Sequence, residues 1–598
     1  MPENNGVQYS NPPQSRNEAI LESIVEGTQY TAPPQSRIED LLLQIKAVGV
    51  GTEVVANPTP TGEETDLVIL QVGTQKYFVG SKEVINIKSF GAVGDGETDN
   101  STAFRNAFSK ANETGKPLYI PKGVYLLDWG QVRVDLTSLS FSIIGDGKFE
   151  SILLFKDSHN SGQFGNGIVI TNEDEDFRPY LTIKDIGFYY DNDDDSITTF
   201  PEESTLIHPY GWFKEILIDN AYFHIGGTAT VLPSDTCLFA HIGAETVTVS
   251  NCLFENFTGN EVGGCLWLMS SIDEENIFAI NQVVVRDNEF RNSNKDEAIA
   301  VYTATADTEN NLKNVLITNN VIIHKAWTTG KLFRTDAPIT VFIGDTSAEV
   351  VDGNIVITNN NLYSDLANLE LIRTTGFSGV LIAENKLSVS TRYSTGALWV
   401  IRIKLGSGII RDNVFDYSAI TEEVALSSND ANVEWLNNSV KGGGNVSISA
   451  SANSSSYTTK FEGNAIDINS GKMFIIRKSS RCAMLIYNNI VYGNVGFGSL
   501  SGTGFILKGN QFNANSGEIN DFSLGGGTGA SFDYKMNDGC VLKISDTNIT
   551  TPLASFKYMG RKDQLKFYQS GTEVADSPTV RAAFFTSSDI LYIGDSQT

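Results

Sequence analysis

The sequence predicts a mainly β chain wound as a right-handed parallel β-helix, and three observations predict it. The first is a recurring phrase, clearest at 283–293 (VVVRDNEFRNS). It returns at 315–325 (VLITNNVIIHK), 355–365 (IVITNNNLYSD) and 380–390 (VLIAENKLSVS), and in looser form from 181 to 515. Intervals of roughly 20–40 residues mean stacked supersecondary units. The second observation is the pattern inside each copy: a β-rich run, a polar turn and a second short strand, with no helical period between copies. The third is the turn itself, which holds Asn288, Asn320, Asn360, Asn385, Asn413, Asn438, Asn464, Asn489 and Asn510. Asn tolerates positive φ, and stacked amides can hydrogen-bond along an axis.

Aligned copies give two columns of apolar residues. One reads Ile183, Ile218, Val249, Val285, Ile317, Ile357, Ile382 and onward. The other follows the turn as Phe188, Phe223, Phe254, Phe290, Ile322, Leu362, Leu387, Phe415, Val440, Ile466, Val491 and Phe512. Alternate residues of a strand share a face, so both columns can line one core. Two residues upstream of the first column lies a further inward one, Leu181, Ile216, Val247, Val283, Val315, Ile355 and Val380, and the outward position between that pair holds Leu217, Val284, Leu316, Val356, Leu381 and Ile409. An apolar stripe that long predicts burial against sister chains in a homotrimer.

Before the repeat lie two short units. Residues 1–49 hold PPQSRNEAILESIVEG and PPQSRIEDLLLQIKAVG, each with a capping box (Ser15 with Glu18, Ser36 with Glu39) and a terminating glycine. Such short N-terminal helices are marginal alone and are expected to dock on a larger assembly. Residues 50–84 read as a small β module with a hairpin across Gly73-Thr74-Gln75. The β-helix is expected over 85–518, opened by a capping helix near 99–111 with Ala103, Phe104, Ala107, Phe108 and Ala111 on its apolar face. Thr98 or Asp99 is the expected cap, and the helix would plug the open end of the first coil. After Gly525-Gly526-Gly527, residues 531–598 read as a small C-terminal β segment.

The formal charge of −28 over 598 residues argues against nucleic-acid or anionic-membrane partners. No apolar run reaches 18 residues, so no membrane insertion is expected. MPENNGVQYSNPPQSR has neither a basic nor an apolar leader region, which predicts a protein without a signal peptide, assembled in a host cytoplasm. The cysteines are odd in number and lack metal or disulfide spacing, which fits reduced core residues.

Two sets of residues could carry chemistry. The position after the apolar anchor holds His224, Glu255 and Arg291 on successive copies. In register they would be about 4.8 Å apart, so that a base, an acid and a cation meet on an outer groove as glycosidic or phosphodiester cleavage requires. A surface salt-bridge ladder would give the same column. The second set is Asp191, Asp193, Asp195 and Glu202, at positions 1, 3, 5 and 12 of DNDDDSITTFPE, the spacing of a calcium loop. Ser196 replaces the usual glycine, and a solvated acidic loop is the competing reading. The copies from 188 to 362 are the longest, and Tyr210, Trp212, Tyr222, Trp267, Tyr302 and Trp327 lie among them, as sugar stacking would need.

FGAVGDGETDN, a helix, then PLYIPKGVYLL resembles the entry segment of the pectate-lyase-like superfamily, used by bacteriophage tailspikes and some plant-cell-wall enzymes. The PPQSR repeats and the TEVVAN…KYFV module resemble N-terminal segments of structural proteins from phages of Gram-positive bacteria. Together they are similar to a tailspike or appendage protein of a small tailed phage. That resemblance implies a homotrimer on the virion, joined to tail or neck proteins through residues 1–84 and binding a host cell-wall polysaccharide or teichoic acid. A dedicated depolymerase, hydrolase or lyase, and a purely structural spike are the alternatives. The polygalacturonase motifs are incomplete: Arg402-Ile403-Lys404 and Asp193-Asp194 are present, but no histidine sits between glycines.

Overall fold

The computed structural model describes residues 84–128, 132–156, 167–191, 204–226, 235–256, 264–270, 279–292, 297–303, 312–324, 337–343, 350–365, 370–391, 398–452, 456–469, 472–479 and 481–501. It also describes isolated strands at 68–72 and 75–79 and, from 505 onward, up to 589–591. The chain divides into two compact units, Met1–Val84 and Ile85–Thr598. In the first, Val68–Val72 and Gln75–Val79 pair antiparallel across Gly73 and Thr74. The helices expected in 1–49 lie outside the described residues.

The second unit is a parallel β-helix. Each full coil contributes three strands, as in Leu266–Ser270, Ile280–Arg286 and Glu289–Asn292, here called the first, second and third faces. Every strand pairs in parallel with its equivalent one coil on, Leu266↔Ile299, Val283↔Val315 and Phe290↔Ile322. The β-branched runs suit this: stiff side chains pack well on a pleated, half-buried surface. Both predicted columns are in register from Phe188↔Phe223 to Val491↔Phe512, and from Ile183↔Ile218 to Ile486↔Leu507. Phe188, Phe223, Phe254 and Phe290 form a stack with ring centroids 5.2, 4.7 and 4.8 Å apart. Each ring is fully buried, and burial of one such side chain stabilises the coil by roughly 1.5–3 kcal/mol.

The turn differs from the expectation in one respect. Positive φ belongs to the residue before the ladder asparagine: Asp287 (57°), Asn319 (57°), Asn359 (56°) and Glu384 (57°). That frees the second turn residue to put its amide inside. Asn320 Nδ2 donates to Asn360 Oδ1 at 2.9 Å, Asn360 Nδ2 to Asn385 Oδ1 at 3.0 Å, and the chain of amides continues to Asn510. Each amide also donates to a backbone carbonyl of the preceding coil, as Asn360 Nδ2 does to Ile317 O at 2.9 Å.

Helix α1 spans Ser101–Thr114 and buries the predicted face of Ala103, Phe104, Ala107, Phe108 and Ala111. Asp99 Oδ1 receives the Ser101 backbone N–H at 2.9 Å, while the residue at the cap position, Asn100, accepts the Val93 N–H instead. Phe104 meets Tyr125 and Phe108 meets Phe141 inside the first coils, so the helix covers their aliphatic core. The parallel ladder also runs past the point where the repeat fades in the sequence. Ser531–Met536 stacks on Phe505–Asn513, and Ser555–Tyr558 stacks on Ser531–Met536. Two antiparallel pairs follow, at 566–576 and 584–591. Cys237, Cys252, Cys265 and Cys482 are buried thiols.

The stripe Leu217, Val284, Leu316, Val356, Leu381 and Ile409 lies in one outward column of the second face, interrupted by Thr248 between Leu217 and Val284, and is half-buried except for Ile409, which is exposed.

Candidate functional site

The third face carries the predicted column. Tyr189↔His224, His224↔Glu255 and Glu255↔Arg291 are direct register partners on successive coils. Their outward direction follows from alternation with the buried Phe188–Phe290 stack. Glu255 is the hub. One carboxylate oxygen lies 3.1 Å from His224 Nδ1 and accepts the Tyr222 hydroxyl at 2.7 Å. The other receives an Arg291 guanidinium N–H at 2.5 Å. Arg291 Nε also donates to Glu289 at 2.8 Å. Tyr189 stacks on the His224 ring at 4.2 Å.

The electrostatics define what this cluster can do. Burial would raise the Glu255 pKa, but hydrogen bonds from His224, Tyr222 and Arg291 overcome it and hold the carboxyl at about 2. A general acid must carry its proton at the operating pH, so Glu255 is a fixed anion here. Burial tends to lower the Arg291 pKa, yet its hydrogen bonds to Glu289 and Glu255 raise it. Arg291 therefore sits between two carboxylates, and its charge is largely compensated.

The predicted aromatic residues separate into different places. Tyr210, Trp267 and Tyr302 stand half-buried on the outward side of the first face. Tyr210, His241, Met269, Tyr302 and Phe342 form one register column there, with Trp267 beside it. Trp267 and Tyr302 are edge-to-face at 6.1 Å, as are Tyr302 and Phe342 at 5.7 Å. His208, on the same face, has its pKa lowered to about 4 by burial and by His241 beside it, and the Tyr302 hydroxyl donates to Glu297 Oε1 at 2.7 Å. Trp212 is buried under the Arg178 guanidinium and is a packing residue. Tyr222 belongs to the Glu255 cluster, and Trp327 lies outside the described residues. Farther along, Arg402 stacks on Trp399 at 4.2 Å and binds Glu370 at 2.6 Å.

Of the calcium set, Asp193, Asp195 and Glu202 lie outside the described residues, and for Asp191 only the backbone is described, at the end of Gly187–Asp191. Among the described residues, no three His, Cys, Asp or Glu side chains cluster as a metal site. Sequence reading missed Tyr189, although it follows its anchor as His224 does and was legible on that ground, and it placed Tyr222 among the sugar-stacking rings rather than beside Glu255. Lys148 and Phe149 could not be found that way, because they come from a turn outside the repeat.

Residues 84–341 match the family described as rhamnogalacturonase A/epimerase, pectate lyase-like. That match spans less than half of the chain and falls on the parallel β-helix. A short segment of the chain is also similar to phage pre-neck appendage proteins. It is 34% identical over 102 residues to the preneck appendage protein of Bacillus phage PZA, and equally to that of Bacillus phage phi29. The match covers 17% of this chain and spans only 10% of those proteins. The crystal structure of the pre-mature phi29 gene product 12 aligns with 82% of this chain and 75% of its own, at 13% identity and a TM-score of 0.26. The family 28 exopolygalacturonase of Yersinia enterocolitica aligns with 69% of this chain and 79% of its own, at 12% identity and a TM-score of 0.34. Among the described residues no helix is long and apolar enough to cross a membrane.

Proposed function

We propose that this chain is an appendage of a phage virion that binds a host-surface glycopolymer with its β-helix, three copies acting together, while residues 1–84 join it to tail or neck proteins. The kinship with pre-neck appendage proteins supports the virion setting. The observation that carries the binding role is the aromatic strip of the first face, with Trp267, Tyr302 and Phe342 partly exposed on successive coils and Tyr210 farther along the same face. Rings spaced along a parallel ladder match the repeat of a polymer better than a single small ligand. Aromatic rings present a large rigid contact area at low entropic cost.

Recognition is favoured over cleavage because Glu255, the acidic member of the acid–base–cation column, is an ion-paired carboxylate. The test is co-sedimentation of the full chain with purified host cell walls, together with a chain-shortening assay on the released glycan. Trp267→Ala and Tyr302→Ala should each weaken binding by about tenfold or more, with no shortening by the parent. Unchanged binding by both variants would refute the strip, and shortening abolished by Glu255→Gln would restore the depolymerase reading.

A further inference from the structure

An open groove of about 560 Å³ lies where the turn meets the third face, lined in part by Lys148, Phe149, Leu253, Glu289, Arg291 and Val321. Its size is that of a site for one or two sugar rings. Leu253, Glu289 and Val321 are register partners on three successive coils, so two apolar side chains flank a carboxylate. Phe149 contributes an aromatic wall. It is 57% exposed, and its ring sits 5.2 Å from that of Tyr222, which ties it to the Glu255 cluster. The rim is polar, with Asn251, Asp287 and Asn319 from the left-handed turn positions.

The charges within the groove balance. Lys148 and Arg291 are set against Asp287 and Glu289. Arg291 is hydrogen-bonded to Glu289 and Glu255, and Asp287 accepts from Arg286 at 2.8 Å. Lys148 Nζ donates to the Asn251 carbonyl at 2.8 Å and lies 5.7 Å from the centre of the Phe149 ring. An anionic ligand would meet two carboxylates and compensated cations, which opposes the attraction that Arg291 alone suggests. A neutral polyhydroxylated ring meets complementary groups throughout. Its hydroxyls can donate to Asp287, Glu289 and the amide oxygens and accept from Lys148, while its C–H face can lie on Phe149.

We propose that this groove is a subsite for a neutral pyranose ring. The inference rests on the glycopolymer reading but names the class of sugar and a second place on the molecule that holds it. The test is saturation-transfer NMR on the full chain with three kinds of probe: a panel of neutral methyl hexopyranosides, the corresponding hexuronates, and glycerol phosphate. At least one neutral glycoside should bind, roughly tenfold more tightly than its uronate and than glycerol phosphate. Phe149→Ala should lower that affinity by about tenfold, and Phe149→Leu, which keeps an apolar contact with Tyr222, should lose the ring contact without unfolding. A preference for uronate or glycerol phosphate, silence across the neutral panel, or full affinity in Phe149→Leu would each overturn the subsite. Cell-wall co-sedimentation of the parent separates the two claims. Attachment without neutral-glycoside binding sinks the groove alone, whereas loss of attachment sinks the glycopolymer reading itself.

Discussion

Glu255 and Arg291 lie on adjacent coils and meet at 2.5 Å, with the carboxylate inside and the guanidinium toward solvent. The contact is possible because parallel stacking sets equivalent residues one strand spacing apart, about 4.8 Å. Glu255 also holds Tyr222 and His224, so a single carboxylate organises groups from the strands on either side of its own.

Acid should therefore unfold the β-helix in two distinguishable steps. His208 is buried neutral at about 4, below its ordinary 6.5, so the unfolded chain binds more protons in that window and stability falls as pH drops from about 6.5 to 4. Glu255, held at about 2 against 4.5, contributes stability that is complete above about 4.5 and is lost as pH falls toward 2. Denaturant titrations at stepped pH should show Glu255→Gln flattening the lower step and His208→Asn the upper one. Identical pH profiles for both variants and the parent would contradict these placements.

Glu255→Gln should destabilise the protein at neutral pH by on the order of 2 kcal/mol. It leaves the partly buried Arg291 without one of its two carboxylates. A change in denaturation midpoint within error of zero would mean the cluster is an ordinary surface pair.

The turn yields a sharper contrast. Asn360→Ala removes the acceptor for both the Asn320 backbone N–H and its side-chain amide, at 3.0 and 2.9 Å, and strands the Ile317 carbonyl. Its expected cost is about 3 kcal/mol, since each buried unsatisfied group costs roughly 1–3 kcal/mol. Asn359→Ala, one residue earlier, loses an exposed hydrogen bond to Thr358 Oγ1 and meets the left-handed backbone penalty of about 1 kcal/mol. Equal losses from the two variants would show that the amide ladder does not hold the coils in register.

The half-exposed stripe of Leu217, Val284, Leu316, Val356 and Leu381 should be covered by sister chains. Light scattering at micromolar concentration is expected to give a trimer, and Leu316→Asp to shift it toward monomer. A stable monomeric parent would rule this out.

Deleting residues 1–84, which form a unit of their own, should leave glycopolymer binding intact and abolish incorporation into particles. A folded truncation that no longer binds cell walls would place recognition in that unit instead.

The repeat by itself determined the coil, because a two-residue strand period and a recurring turn admit few ways to bury two aliphatic columns. It gave the registers of Phe188 through Val491 and of His224, Glu255 and Arg291, since equal offsets from equal anchors become neighbours when strands stack in parallel. Alignment did not reveal which turn residue takes positive φ. That depends on which side chain can reach the amide of the next coil. Nor could it reveal that Glu255 would be held as a carboxylate, because its pKa is set by Tyr222, His224 and Arg291 together in three dimensions. The same limit applies to Trp212, whose burial under Arg178 depends on chain entering from outside the periodic pattern. Lys148 and Phe149 show it most plainly. They lie about a hundred residues before Asn251 in the chain, at an |i−j| of 103 for Lys148, and only winding the coils brings their turn beside it. Periodic sequence fixes what repeats along an axis, and a groove made by a non-repeating turn exists only once the coil has closed.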